Sequence, residues 1–172
     1  MMRRRQWIRC FTAASFLALA NAAFSQEDPG KANIGDVNVS VYYASNGEVS
    51  AADQKTEPVP EKMVKRLQSE ERLRFKNYRT LGKDTQPLLR SYESWAQPLK
   101  PSDEVLVRFE ARTLPTEKVT GLDLELWLSK KKVLKMDAWL EGDRPLIVLG
   151  PEWRGGRLII SVSLASKEKI NK

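Results

Sequence analysis

The chemistry open to this 172-residue chain is set first by what it lacks: there is no histidine, and the one cysteine is Cys10. Without histidine there is no Ser-His-Asp or Cys-His arrangement, no histidine-ligated zinc and no ordinary general base near neutral pH. Carboxylates, lysines, serines, tyrosines and tryptophans remain. Among these, Trp127 and Trp139 stand out because the alternation of their segments puts them on otherwise polar strand faces. An exposed indole stacks on sugar faces or anchors a protein interface. The competing reading is that a second sheet covers that face and makes both residues core. Trp153 and Lys135 complete the candidate binding set, with Trp95 and Trp153 in less regular segments. Lys135 stands beside Trp127 in one hairpin register and beside Glu125 in the other.

The other chemistry-bearing stretches read more plainly. Lys130-Lys131-Lys132 could touch an anionic polymer, but reads better as a solvated hairpin tip that discourages edge pairing. Arg154-Gly155-Gly156-Arg157 is not a phosphate loop, since a strand follows it rather than a helix N-terminus; its glycines suit a turn with positive φ. Glu110, Asp123, Glu125 and Asp137 lie on or near strands, yet no spacing singles out an acid–base pair. No Asp-rich loop has calcium-ligand spacing. No catalytic residue, metal ligand or cofactor site is therefore assigned.

The elements that must position these residues are mostly strands. Val37, Val39, Val41 and Tyr43 alternate with polar neighbours, as do Val105, Val107, Phe109 and Ala111. Leu122, Leu124, Leu126 and Leu128 share one face, and Leu134, Met136, Ala138 and Leu140 continue the pattern across a turn. Leu146-Ile147-Val148-Leu149 reads as a central strand, residues 151–156 as a loop, and residues 158–164 as the closing strand. Residues 85–97 read as a further strand, with Gly82-Lys83-Asp84 breaking the pattern before it. One helix is expected from Glu61, with Pro60 as its first residue and Met63, Val64 and Leu67 on its apolar face. Residues 73–81 fit either a strand or the frayed end of that helix. Short connections between strands imply antiparallel hairpins. The expected class is α+β and strand-dominated: an antiparallel meander or sandwich of about seven strands with one packed helix.

Residues 1–25 have the three parts of a secretory signal: Arg3, Arg4, Arg5 and Arg9, then an uncharged run from Cys10 to Ala20, then small residues. Eleven helical residues span only ~16 Å, against ~30 Å for a bilayer core, so a cleaved signal is expected rather than a span. Arg4-Arg5 faintly matches a twin-arginine signal. Lipidation of Cys10 is rejected, because the cysteine precedes the apolar run. The expected organisation is a signal at 1–25, a flexible leader at 26–36, one domain at 37–164 and a charged tail at 165–172. Losing the signal takes four arginines from 29 basic residues, leaving 25 against 22 acidic, a balance of +3 rather than +7. That is too little for nucleic-acid binding. It would also leave no cysteine and so no disulfide.

Together these readings point to a non-enzymatic binding or assembly protein of the bacterial cell envelope, periplasmic or secreted, acting through a sheet face or edge. Its partner would be an envelope protein. The alternatives are a carbohydrate-binding module for wall polysaccharide and, well behind, an exported hydrolase built on carboxylates.

Overall fold

The computed structural model describes residues 27–47, 56–114, 119–142 and 144–165. The expected signal and nearly all of the charged tail lie outside them. Nine strands form two antiparallel sheets: β1 (Asn33–Ser45), β2 (Glu57–Pro58), β3 (Asn77–Leu89), β4 (Ser94–Ala96), β5 (Val105–Ala111), β6 (Val119–Leu128), β7 (Lys131–Glu141), β8 (Leu146–Trp153) and β9 (Gly156–Leu164). One sheet has the order β2-β3-β1-β9-β8 and the other β4-β5-β6-β7. The strand-dominated α+β class holds, as a sandwich with nine strands rather than seven.

Alternation explains how the sheets meet. Val37, Val39 and Val41 of β1 face Val107 and Phe109 of β5 and Leu122, Leu124 and Leu126 of β6 in one fully buried cluster, joined by Leu158, Ile160 and Val162 of β9. The five-stranded sheet also buries its second face. There the helix α1 (Glu61–Ser69) lays Leu67 over Tyr42, Ala44 and Ile159. The expected choice between a helix and a second sheet as cover is thus resolved as both, one on each side. Among the described residues no helix is long and apolar enough to cross a membrane.

Several local expectations are corrected. The polar segment 26–36 is not free of structure: Pro29–Lys31 makes a 3-10 turn and β1 begins at Asn33. Asp28 holds that turn, accepting from Gly30 N at 2.8 Å and from the Tyr92 hydroxyl. Pro60 is the residue before α1 rather than its first, with extended ψ 137. Segment 73–81 is strand only from Asn77, where β3 begins, and a 3-10 turn at Glu71–Leu73 separates it from α1.

Gly82-Lys83-Asp84 does not end a strand, because β3 runs straight through it. The glycine is needed there for another reason: a Cβ on Gly82 would lie 2.0 Å from the carbonyl oxygen of Pro98, where the 97–100 connection crosses β3. Asp84 pins that connection, accepting from Gln97 N and Lys100 Nζ, both at 2.8 Å. The strand expected over 85–97 is accordingly split between the end of β3 and the short β4, with a bend at 90–93. Leu146–Leu149 is apolar at every position without being central. As part of the edge strand β8 it packs Leu146 and Val148 on the main core and Ile147 and Leu149 on the cluster beneath α1. Residues 151–156 are the end of a hairpin rather than a loop. Arg154 and Gly155, at φ 46 and φ 78, turn the chain, and Trp153 pairs with Gly156.

Candidate functional site

The outer face of the four-stranded sheet is where the sandwich leaves strands uncovered by any described residue, and the register assembles its side chains in rows. Trp95 of β4 lies opposite Arg108 of β5, Arg108 opposite Glu125 of β6, and Glu125 opposite Lys135 of β7. One row therefore crosses all four strands. The neighbouring row is Leu106, Trp127 and Lys132, and the far end of the face pairs Gly121 with Trp139. Of the two registers open to the β6–β7 hairpin, the structure adopts the one with Glu125 beside Lys135. A bulge at Val133 then brings Lys132 opposite Trp127.

Glu125 is the centre of this face and is only 4% exposed. A carboxylate so placed must find partners, and it has four. Trp127 Nε1 donates at 2.9 Å, Lys132 Nζ lies at 3.1 Å, Lys135 Nζ at 3.5 Å and Arg108 at 3.8 Å. Burial pushes its carboxyl up, but the hydrogen bonds from Lys132 and Trp127 and the attraction of Lys132 and Arg108 outweigh that and hold it below the ordinary carboxylate range. Arg108 also grips Glu93 through a close Nε contact and Glu110 at 2.8 Å. Its hydrogen bond is the main cause that lowers Glu93. Lys135 bridges to Asp123 at 3.0 Å, and that hydrogen bond, with the Asp123 charge, raises the lysine. Arg112 pairs with Asp137 at 2.7 Å.

The indoles flank this ionic strip. Trp95 and Trp127 meet at 5.6 Å between ring centroids, tilted by 56°, with Lys132 Nζ 5.5 Å from the Trp127 ring. Trp127 is half-buried and Trp95 is 38% exposed. Trp139, at the other end, is 57% exposed. Its ring rests over Gly121: a Cβ there would come within 2.9 Å of Trp139 Cζ3 and 3.3 Å of Cε3. The bare glycine backbone thus supports one side of the indole and leaves the other to solvent, an arrangement known to rescue glycines in sheets.

The remaining candidates lie elsewhere. Trp153 is not on this face. It packs edge-on against Tyr43 at 6.0 Å and donates from Nε1 to Glu104 at 2.7 Å, closing one end of the sandwich under the stacked Arg154 guanidinium. The three lysines do not form a patch: Lys132 folds back onto Glu125, while Lys130 reaches Asp103 at 3.8 Å. Trp95 is the residue that periodicity missed. Its strand has three residues, too few to show alternation, and only its pairing with β5 puts it on the face.

Compared with known proteins, the chain matches no family model, no curated protein and no solved structure. Function must accordingly be argued from this geometry.

The electrostatics predict a simple pH profile. Asp28, Asp84, Glu93 and Glu125 all titrate below their ordinary range in the folded chain. Groups of this kind stabilise the fold above their unfolded pKa, about 4, and that stability is lost as pH falls through the lower folded values. With no histidine to titrate, stability is expected to be flat between about pH 6 and 8 and to fall steeply below about pH 4. Urea midpoints measured across pH 3–8 check this (roughly the range over which carboxyls and histidines titrate). A slope of stability near pH 6.5 would contradict it.

Proposed function

We propose that this chain is a non-enzymatic binding module of the cell envelope, exported by the signal-like segment 1–25, that meets its partner with the outer face of the four-stranded sheet. The observation that carries this reading is the pair of exposed indoles, Trp139 at 57% and Trp95 at 38%, on one uncovered face. Tryptophan and arginine are the residues that most often dominate binding energy at interfaces, and Arg108 sits between the two ends. An envelope protein is the first partner to seek. Wall polysaccharide is the second, favoured by one feature: the Trp139 ring, backed by Gly121, is a flat platform of the kind that stacks on a sugar. A carboxylate hydrolase is less well supported, since a general acid needs a raised pKa and Glu125 and Glu93 are shifted the other way.

Cross-linked pull-down of the tagged protein from intact envelopes, with insoluble wall material assayed in parallel, tests the reading. Trp95→Ala with Trp139→Ala is expected to weaken capture by at least about tenfold and to cost under about 1.5 kcal/mol of stability, because both rings are exposed. Unchanged capture by this folded double variant would remove the sheet face as the binding surface. Retention on wall material without a protein partner would select the polysaccharide.

A further inference from the structure

The opposite side of the molecule carries a second recess, built from different chemistry. It lies between α1 and the start of β8, with a volume of about 470 Å³, inside the roughly 300–1,000 Å³ range of small-molecule clefts. Tyr42, Pro60, Met63 and Pro145 make its apolar surface. The charged residues lining it are Lys62, Arg66 and Arg144, and no carboxylate is among them. None of the three cations is ion-paired with a described residue. Arg66 is held in place by donating to the Pro145 carbonyl at 2.8 Å. That leaves its guanidinium positioned at the rim with further donors unused.

Tyr42 itself is 6% exposed and forms part of the cleft floor. The adjoining groove toward Leu73 differs, because Glu70 and Glu71 line it beside Arg66 and Arg72 and cancel its charge. Of these two recesses, the Tyr42 cleft is the one with no carboxylate among its described lining residues.

We infer that this cleft binds a small anionic amphiphile, its carboxylate or phosphate head held by Arg66, Arg144 and Lys62 and its hydrocarbon body laid on Tyr42, Met63 and Pro60. Because the cleft is open on one side, part of the ligand stays in water and the affinity is modest. This site is independent of the tryptophan face, so either can fail without the other.

Nitrogen–proton correlation spectra of the full chain, titrated with dodecanoate below its micelle concentration, test the inference. Saturable shifts are expected at Tyr42, Met63 and Arg66. Dodecyl phosphate should act in the same way, and the tighter of the two identifies the preferred head. Arg66→Gln with Arg144→Gln should weaken both by at least about tenfold. Since Arg66 also ties α1 to Pro145, the change Lys62→Gln at an exposed residue is measured beside it and should weaken binding about threefold. Dodecanol binding as tightly as dodecanoate would overturn the inference, because the cations would then play no part. So would inorganic phosphate binding as tightly as dodecyl phosphate, or shifts that fall outside the cleft.

Discussion

Gly82→Ala is expected to lower stability by about 3 kcal/mol or more, a large share of the roughly 5–15 kcal/mol typical of a domain. The added methyl would sit 2.0 Å from the Pro98 carbonyl oxygen and 3.0 Å from its carbon, so backbone rather than a pliable side chain must give way. The 97–100 connection has little freedom to do so. Asp84 holds it through Gln97 N and Lys100 Nζ, and Gln97 in turn donates to the carbonyls of Pro101 and Ser102. Moving β3 instead would tear its ladder with β1, where Val41 faces Gly82. Gly35→Ala is the matched control: a Cβ there meets nothing within 4 Å, and alanine in a strand is neutral or slightly favourable relative to glycine. Thermal melts of the two variants decide the matter. A Gly82→Ala protein melting beside its Gly35→Ala control would mean that the connection does not cross β3 as described.

The second large effect is expected from Arg108→Leu, at about 3 kcal/mol near pH 7. The guanidinium is 15% exposed and serves Glu93, Glu110 and Glu125 at once. Leucine preserves much of the aliphatic volume but leaves three carboxylates facing one another, one of them buried. Lys132 and Lys135 continue to neutralise Glu125, which keeps the loss toward the lower end of the range for a broken buried pair. The sign of its pH dependence separates charge from packing. Arg108 helps hold Glu93 and Glu125 below the ordinary range, so its contribution exists above their unfolded pKa and disappears as they protonate. The difference between wild type and variant should therefore shrink on going from about pH 7 to about pH 4. A difference of equal size at both pH values would assign the effect to lost packing.

Alternation made the two facing layers of the core legible before any coordinates. Val37, Val39 and Val41 point inward, as do Leu122, Leu124 and Leu126, because a period of two leaves a strand only one apolar face to bury. Leu146–Leu149 shows where that logic stops: an unbroken apolar run says that both faces are covered, not that neighbours flank the strand on both sides. Pairing order is long-range, and no local pattern places β9 between β1 and β8. The candidate face was legible in the same measure. Trp127, Trp139 and Lys135 are on it as their alternation requires, whereas Trp153 is not. The burial of Glu125 comes from Trp127 on its own strand together with Arg108 of β5 and Lys132 of β7, which a linear reading cannot bring together. In residues 26–36 polarity alone suggests freedom, whereas Asp28 uses that polarity to cap a turn and bind Tyr92.

The position of β9 governs how the chain comes into being. Val37 faces Leu164 across the β1–β9 ladder, 127 positions further along. At about 5–20 residues per second, the first strand delivered waits some ~6–25 s for the partner that completes its sheet. Throughout that interval the edge of β1 that β9 will occupy stays unpaired, a template for mispairing with any neighbouring chain. Premature termination before β9 would thus yield a product with its central ladder open, and the nascent protein is the form in which a holding chaperone has most to shield.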